Sequence, residues 1–185
     1  MSAFSASWWR RRGARNRAVQ AAYETLLREA LSPRHYLAHG AADTFEGRAR
    51  MVTVLTALAC HRLAAIGGPE AADLAEYINR KVLDGFDAAY REKGVGDHSI
   101  ARKVRTLAEA HSGLGRALMT ALETAESGAG PDPLVAVLVR NEVSPAAAAP
   151  AMAAALRALQ QAFQAQPDAE ILAGTFACGG KPPES

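Results

Sequence analysis

Cysteine is almost missing from this chain: Cys60 and Cys178 are the only two. One lies in an apolar stretch and the other in the tail, so no disulfide framework is available, and a reducing compartment is expected. Strand-type runs of Val, Ile, Thr and aromatic residues are also missing. No segment alternates apolar and polar residues for long, which excludes a β architecture. The longest apolar run, "MVTVLTALACHRLAAI" (51–66), is interrupted by His61 and Arg62. It is shorter than the roughly 20 residues of a membrane span, so no segment is expected to cross a bilayer. The net charge of +2 is too small to define a partner. Acids are absent at the start, where Arg10, Arg11, Arg12, Arg15 and Arg17 all precede Glu24, whereas acids outnumber bases from Glu126 onward. That asymmetry points the basic half toward something anionic.

What is present is alanine, the commonest residue and the best helix former, because its side chain loses no rotamer freedom. At 185 residues the chain has the size of one domain with a real core. The expectation is an all-α fold, a single compact domain of about six helices over 18–177. A basic tail (1–17) would precede it and a disordered tail (178–185) follow. The first helix is expected from about Arg15 to Leu31, then a connector opened by Pro33. Asp43 and Glu46 have capping-box spacing and mark the next helix, whose apolar positions cover most of its circumference and make it the central one. Gly67-Gly68 ends it and Pro69 opens a third, about 69–93, burying Leu74, Ile78, Val82, Phe86 and Tyr90. A fourth runs from Asp97 to about Ala125. After "ESGAGPDP" a short helix follows at 133–141, then a last one with the stripe Met152, Leu156, Leu159 and Phe163.

"REKGVGDHSIARKVR" (91–105) poses the functional question. A glycine loop before a helix can hold phosphate on its first-turn N–H groups. Here no strand precedes the loop, and Asp97 stands where the helix begins, so its carboxylate would take those donors and repel an anion. The stretch is expected to be a tight helical corner. Gly94 would turn left-handed, Val95 pack back, Gly96 supply a second permissive dihedral and Asp97 cap the next helix. Arg102, Lys103 and Arg105 are not explained by the corner. They form either a solvated face, with Arg105 paired to Glu109, or, with Arg91 and Lys93, a basic patch.

"DTFEGRA" (43–49), "REKGVGDHSIARKV" (91–104), "LVRNEV" (138–143) and "EILAGTFAC" (170–178) resemble, in this order, the ubiquinol–cytochrome c chaperone family, assembly factors of the cytochrome bc1 complex. The resemblance covers roughly residues 30–177. It implies an all-helical, non-enzymatic protein whose mitochondrial relatives bind newly made cytochrome b, work with a small partner protein and contact the ribosome near the tunnel exit. Carried over, the signature positions are Asp43, Thr44, Gly47, Arg48, Arg91, Glu92, Gly94, Val95, Gly96, Asp97, Lys103 and Asn141. The chain departs from the pattern twice. Ala49 and Arg50 stand where the family has an aromatic and an acid, and His111-Ser112-Gly113 replaces an aromatic pair before glycine.

Other constellations carry less. His35 and His39 have metal-ligand spacing but lie in a connector without a third ligand. His61 and His111 read as helix-surface or partly buried residues, and Cys60 as a small hydrophobe. No Ser-His-Asp or paired-carboxylate arrangement stands out, so neither an enzyme, a cofactor, a metal nor a small-molecule substrate is expected. "SWWRRRGARNR" (7–17) suits a tether to an anionic membrane or ribosome, and also resembles a transit peptide. The expected function is an assembly chaperone that binds nascent cytochrome b at the ribosome or membrane surface. It would be cytoplasmic and peripheral to the inner membrane, or else mitochondrial. The alternative is a small RNA-binding or ribosome-associated regulator, which would need base-stacking aromatics among its cations.

Overall fold

The structure, a computed structural model, describes residues 3–93, 97–124 and 132–178, without the side chains of 3–11 and 97–99. It is all-α: no strand occurs among the described residues. The helices are α1 (Ala3–Ala30), α2 (Pro33–Leu37), α3 (Phe45–Ile66), α4 (Gly68–Glu92), α5 (Asp97–Thr124), α6 (Pro133–Arg140), α7 (Ala149–Ala165) and α8 (Asp168–Leu172). Six span eight residues or more, while α2 and α8 are five-residue turns of helix.

α3 is the axis of the core, buried continuously from Met51 to Ala59 and again at His61, Arg62 and Leu63. Its 22 residues suffice in length and apolarity to cross a membrane, yet 72% of its most apolar window lies inside the fold, as in a core helix. Gly67, at φ 72°, turns the chain sharply so that α4 starts at the next residue with Pro69 in its first turn. α4 doubles back along α3, pairing residue 79 with 60 and 90 with 45. α5 doubles back along α4, bringing His111 beside Asn79 and Phe86. α3 and α5 therefore run parallel, so the start of α3, the end of α4 and the start of α5 share one pole. On α4, Leu74, Ile78, Val82, Phe86 and Tyr90 are all buried, as the four-residue spacing predicts.

Several boundaries differ from the sequence expectation. α1 starts at Ala3, not near Arg15, so the backbone of 3–17 is helical. The helix-start cap at α3 is one residue later than Asp43–Glu46 spacing predicts. Thr44 is the N-cap, its Oγ1 accepting from the Gly47 N–H at 3.0 Å, while Asp43 pairs with Arg48 at 2.7 Å. The connector after Pro33 contains α2, and α8 follows the last expected helix. Gly94, Val95 and Gly96 lie outside the described residues, as do 125–131, which include the first six residues of "ESGAGPDP", and 179–185; the Asp97 carboxylate expected to cap α5 does too.

Two buried polar clusters lock the frame. Arg62, 9% exposed, donates to the carbonyls of Phe163 (2.9 Å) and Gln166 (3.0 Å) and pairs with Asp168, joining α3 to the end of α7 and the start of α8. His35 is fully buried, its Nε2 2.8 Å from Glu29, which also pairs with Arg34. Burial favours the neutral form of Glu29, but those two partners outweigh it and hold the carboxyl below its usual range. His35 is thus spent on a structural contact, with His39 Nδ1 3.4 Å away. Among the described residues no group of three or more potential ligands could hold a metal.

Candidate functional site

Three segments meet at the pole. Phe45, the first residue of α3, lies on the Tyr90 ring of α4 with centroids 4.6 Å apart and planes tilted by 46°. Lys93 places its ammonium 4.5 Å from the Phe45 centroid, and Lys103 of α5 sits 5.9 Å from that of Tyr90. Each such contact contributes about 0.5–1 kcal/mol at an exposed site. Tyr90 is 8% exposed; burial, with the Glu46 carboxylate adding to it, pushes its hydroxyl pKa up. Arg102 and Arg105 project from the same end of α5, exposed. Neither is in an ion pair among the described residues, so the Arg105–Glu109 pair of the solvated-face reading does not form. Arg91 pairs with Asp87 at 2.8 Å, and Glu92 is exposed.

Beside this corner α3, α5 and the end of α6 enclose a hollow of about 310 Å³. Ala49, Leu107, Ala110, Gly113 and Leu114 form its apolar walls, with Arg50, Arg140, Asn141 and Glu142 at the rim. Thr53 and His111 line it too and belong to a buried chain of hydrogen bonds. Asn79 Nδ2 donates to Ala75 O at 2.8 Å, which leaves its Oδ1 to accept from His111 Nε2–H at 3.1 Å. His111 Nδ1 lies 2.8 Å from the Thr53 hydroxyl oxygen, whose single hydrogen it shares with the Ala49 carbonyl at 3.0 Å. Both ring nitrogens are used by a neutral imidazole, and burial pushes the His111 pKa down. At the rim Arg50 binds Glu142 at 2.7 Å, while the Glu142 backbone is left-handed at φ 53°, a sparsely populated conformation for a residue with a side chain. Asn141 caps α6, its Nδ2 donating to Val137 O at 2.8 Å.

The sequence profile of the ubiquinol-cytochrome C chaperone family matches residues 37–178. The chain belongs to that family. It is similar to the crystal structure of the Cbp3 homolog from Brucella abortus, with 25% identity and a TM-score of 0.78 over 94% of each chain. No curated protein sequence matches the chain. Membership supports a ubiquinol–cytochrome c chaperone role and implies a protein that is not an enzyme.

Within this chaperone-family fold the signature positions divide in space. Asp43, Thr44, Gly47 and Arg48 build the start of α3. A Cβ at Gly47 would overlap the Ala42 carbonyl oxygen, so only glycine permits that approach. Lys103 lies at the corner and Asn141 at the hollow. From the two stretches that depart from the family pattern, Ala49, Arg50, His111 and Gly113 line the same hollow although about 60 residues separate them. Phe45 was not singled out by sequence reasoning. Its place just inside the Thr44 cap was the available signal, since an N1 side chain stands at the mouth of a helix. Glu142 gave no signal, because left-handed backbone at a glutamate has no sequence mark.

A second, larger groove of about 1040 Å³ lies between α1, α4 and α8. Arg12, Arg15 and Arg17 stand on one wall and Glu70 and Asp73 on another, with Arg15 3.9 Å from Asp73. No signature residue lines it.

Proposed function

We propose that the protein is an assembly chaperone of the cytochrome bc1 complex that holds newly made cytochrome b, working at the ribosome or membrane surface through the α3–α4–α5 pole. The observation that carries this reading is the meeting, at that pole, of the start of α3, the end of α4 and the start of α5, where the 43–49 segment and the described part of 91–104 lie. There an aromatic pair is ringed by cations that lack acidic partners among the described residues. Lys93, Arg102, Lys103 and Arg105 would steer the protein to anionic lipid headgroups or ribosomal RNA, from either the cytoplasmic face of an inner membrane or the mitochondrial equivalent. Near an anionic leaflet each contributes about 1 kcal/mol, so losing three costs roughly a hundredfold in affinity. A small partner subunit fits the family reading.

The RNA-regulator alternative is disfavoured by the rings themselves. Phe45 and Tyr90 cover each other and carry an ammonium group each, so neither offers a base an open stacking face. Charge reversal of Arg102, Lys103 and Arg105 tests the tether. Binding to ribosomes or anionic vesicles at low salt should fall by at least about a hundredfold with unchanged Tm, because reversal adds repulsion to the lost attraction, and normal binding would remove the basic corner from the account.

A further inference from the structure

We infer that the hollow between α3, α5 and α6 is a docking pocket for a short acidic–apolar peptide segment. An apolar side chain of that segment fills the hollow, and a neighbouring carboxylate pairs with Arg140. The inference adds a partner chemistry to the proposed pole and rests on that reading only in taking the partner to be a protein.

Size restricts the occupant first. About 310 Å³ is at the small end of ligand pockets, which run from ~300 to 1,000 Å³, so it suits one or two side chains and not a whole helix or a large cofactor. The walls set its polarity. Ala49, Leu107, Ala110 and Leu114 are apolar, and a Cβ placed on Gly113 would meet nothing within 4 Å, so the space beside that glycine is open. The polar groups inside are already paired: His111 with Thr53 and Asn79, each through one ring nitrogen. Nothing in the depth of the hollow requires a polar or charged guest.

The rim sets the sign of the charge. Its one carboxylate, Glu142, is held by Arg50 through both its side chain and its carbonyl oxygen. Arg140 is exposed and in no ion pair among the described residues, so the uncompensated charge at the mouth is positive. Along α5 the approach is positive too. Lys103 stands one turn before Leu107, with Arg102 and Arg105 beside it, all exposed. An acidic segment is therefore attracted along the helix and finds in Arg140 a planar fork that matches a carboxylate. The left-handed Glu142 fixes Arg50 in place before anything binds, so the rim is preorganised. A free phosphate would satisfy Arg140 but leave the apolar walls empty, and an RNA base would find no free ring to stack on.

The test is a titration of the 15N-labelled full chain with acetyl-Glu-Leu-Phe-Glu-amide, followed by amide chemical shifts. The peptide should move Ala49, Ala110, Gly113 and Leu114 and saturate. Its glutamine twin and the Arg140→Glu variant should each bind roughly tenfold or more weakly, as expected for loss of a charge-assisted pair. Gly113→Leu should abolish binding by filling the hollow. If Gly113→Leu lowers Tm, Ala110→Phe at the exposed mouth serves instead. The inference is overturned if the peptide leaves these amides unmoved at millimolar concentration, or if the glutamine twin or a filled variant binds as well. It is also overturned if inorganic phosphate or poly-uridine saturates the same amides as tightly. Because the probe is synthetic, it can fail while cytochrome b is still captured by the pole, and the reverse.

Discussion

Substituting Gly47 by alanine tests whether the first signature segment shapes the start of α3 or contacts a partner. Gly47 is buried in the first turn, its N–H held by the Thr44 hydroxyl at 3.0 Å. A Cβ there would overlap Ala42 O, with Ala42 C at 2.9 Å and Ala42 Cβ at 3.1 Å. The obstacle is backbone, so the 42–47 loop must move. Overpacking of this kind costs about 1–3 kcal/mol. Disturbing the Thr44 cap adds about 1 kcal/mol. The better helix propensity of alanine returns about 1 kcal/mol. The net is a loss of about 1–3 kcal/mol, and at roughly 2–4 °C per kcal/mol for a chain of this size the Tm falls by about 2–12 °C. Gly113→Ala is the control, because its Cβ enters open space; it should gain about 0.5–1 kcal/mol. Thermal and urea unfolding followed by circular dichroism read both. If Gly47→Ala is as stable as Gly113→Ala, the close approach is not a constraint and the architectural role of Gly47 fails.

Arg62→Ala strands the Phe163 and Gln166 carbonyls and frees Asp168, so urea unfolding should show a loss of about 2–3 kcal/mol; a change within error would mean the α3–α7–α8 lock carries no energy. Burial lowers the His111 pKa, so the unfolded chain takes that proton first, near pH 6.5. This share of stability is complete above about pH 6.5 and is lost as pH falls toward the folded value. His39 is shifted the same way, so the site is assigned by NMR, where a His111 ring titrating at or above 6.5 contradicts the buried neutral imidazole. Burial also pushes the Cys178 thiol up to about 12 and raises that of Cys60. Iodoacetamide at about pH 8 should therefore alkylate the native chain at least tenfold more slowly than the denatured one; equal rates would show the thiols open.

The core was readable in the sequence because it depends on spacing. The four-residue stripe of α4 and the Met152–Phe163 stripe of α7 are buried as the pattern predicts. Gly67-Gly68 followed by Pro69 marked a turn that the structure places at the same residues. The pole was legible only in part. Lys103 and Arg105 stood out as unexplained cations, but that Phe45 would meet Tyr90 depends on α3 and α4 doubling back, which periodicity does not report. His111 looked like a surface or half-buried residue because one chain cannot show Thr53 and Asn79 closing on it from two other helices. Arg62 looked like an interruption of an apolar run and is instead a buried clamp, since its partners lie 101–106 residues away. α1 was expected too short because the arginine run has no apolar stripe, although arginine itself is a good helix former.

Photo-crosslinking in the native cell decides the central claim most directly, with the reactive group placed at Arg105 on the pole and, for comparison, at the exposed Ala165 at the far end of α7. Mass spectrometry should recover cytochrome b from the Arg105 position and not from Ala165. Recovery of cytochrome b from Ala165 alone, or from neither, would contradict a chaperone that works through this end of the molecule.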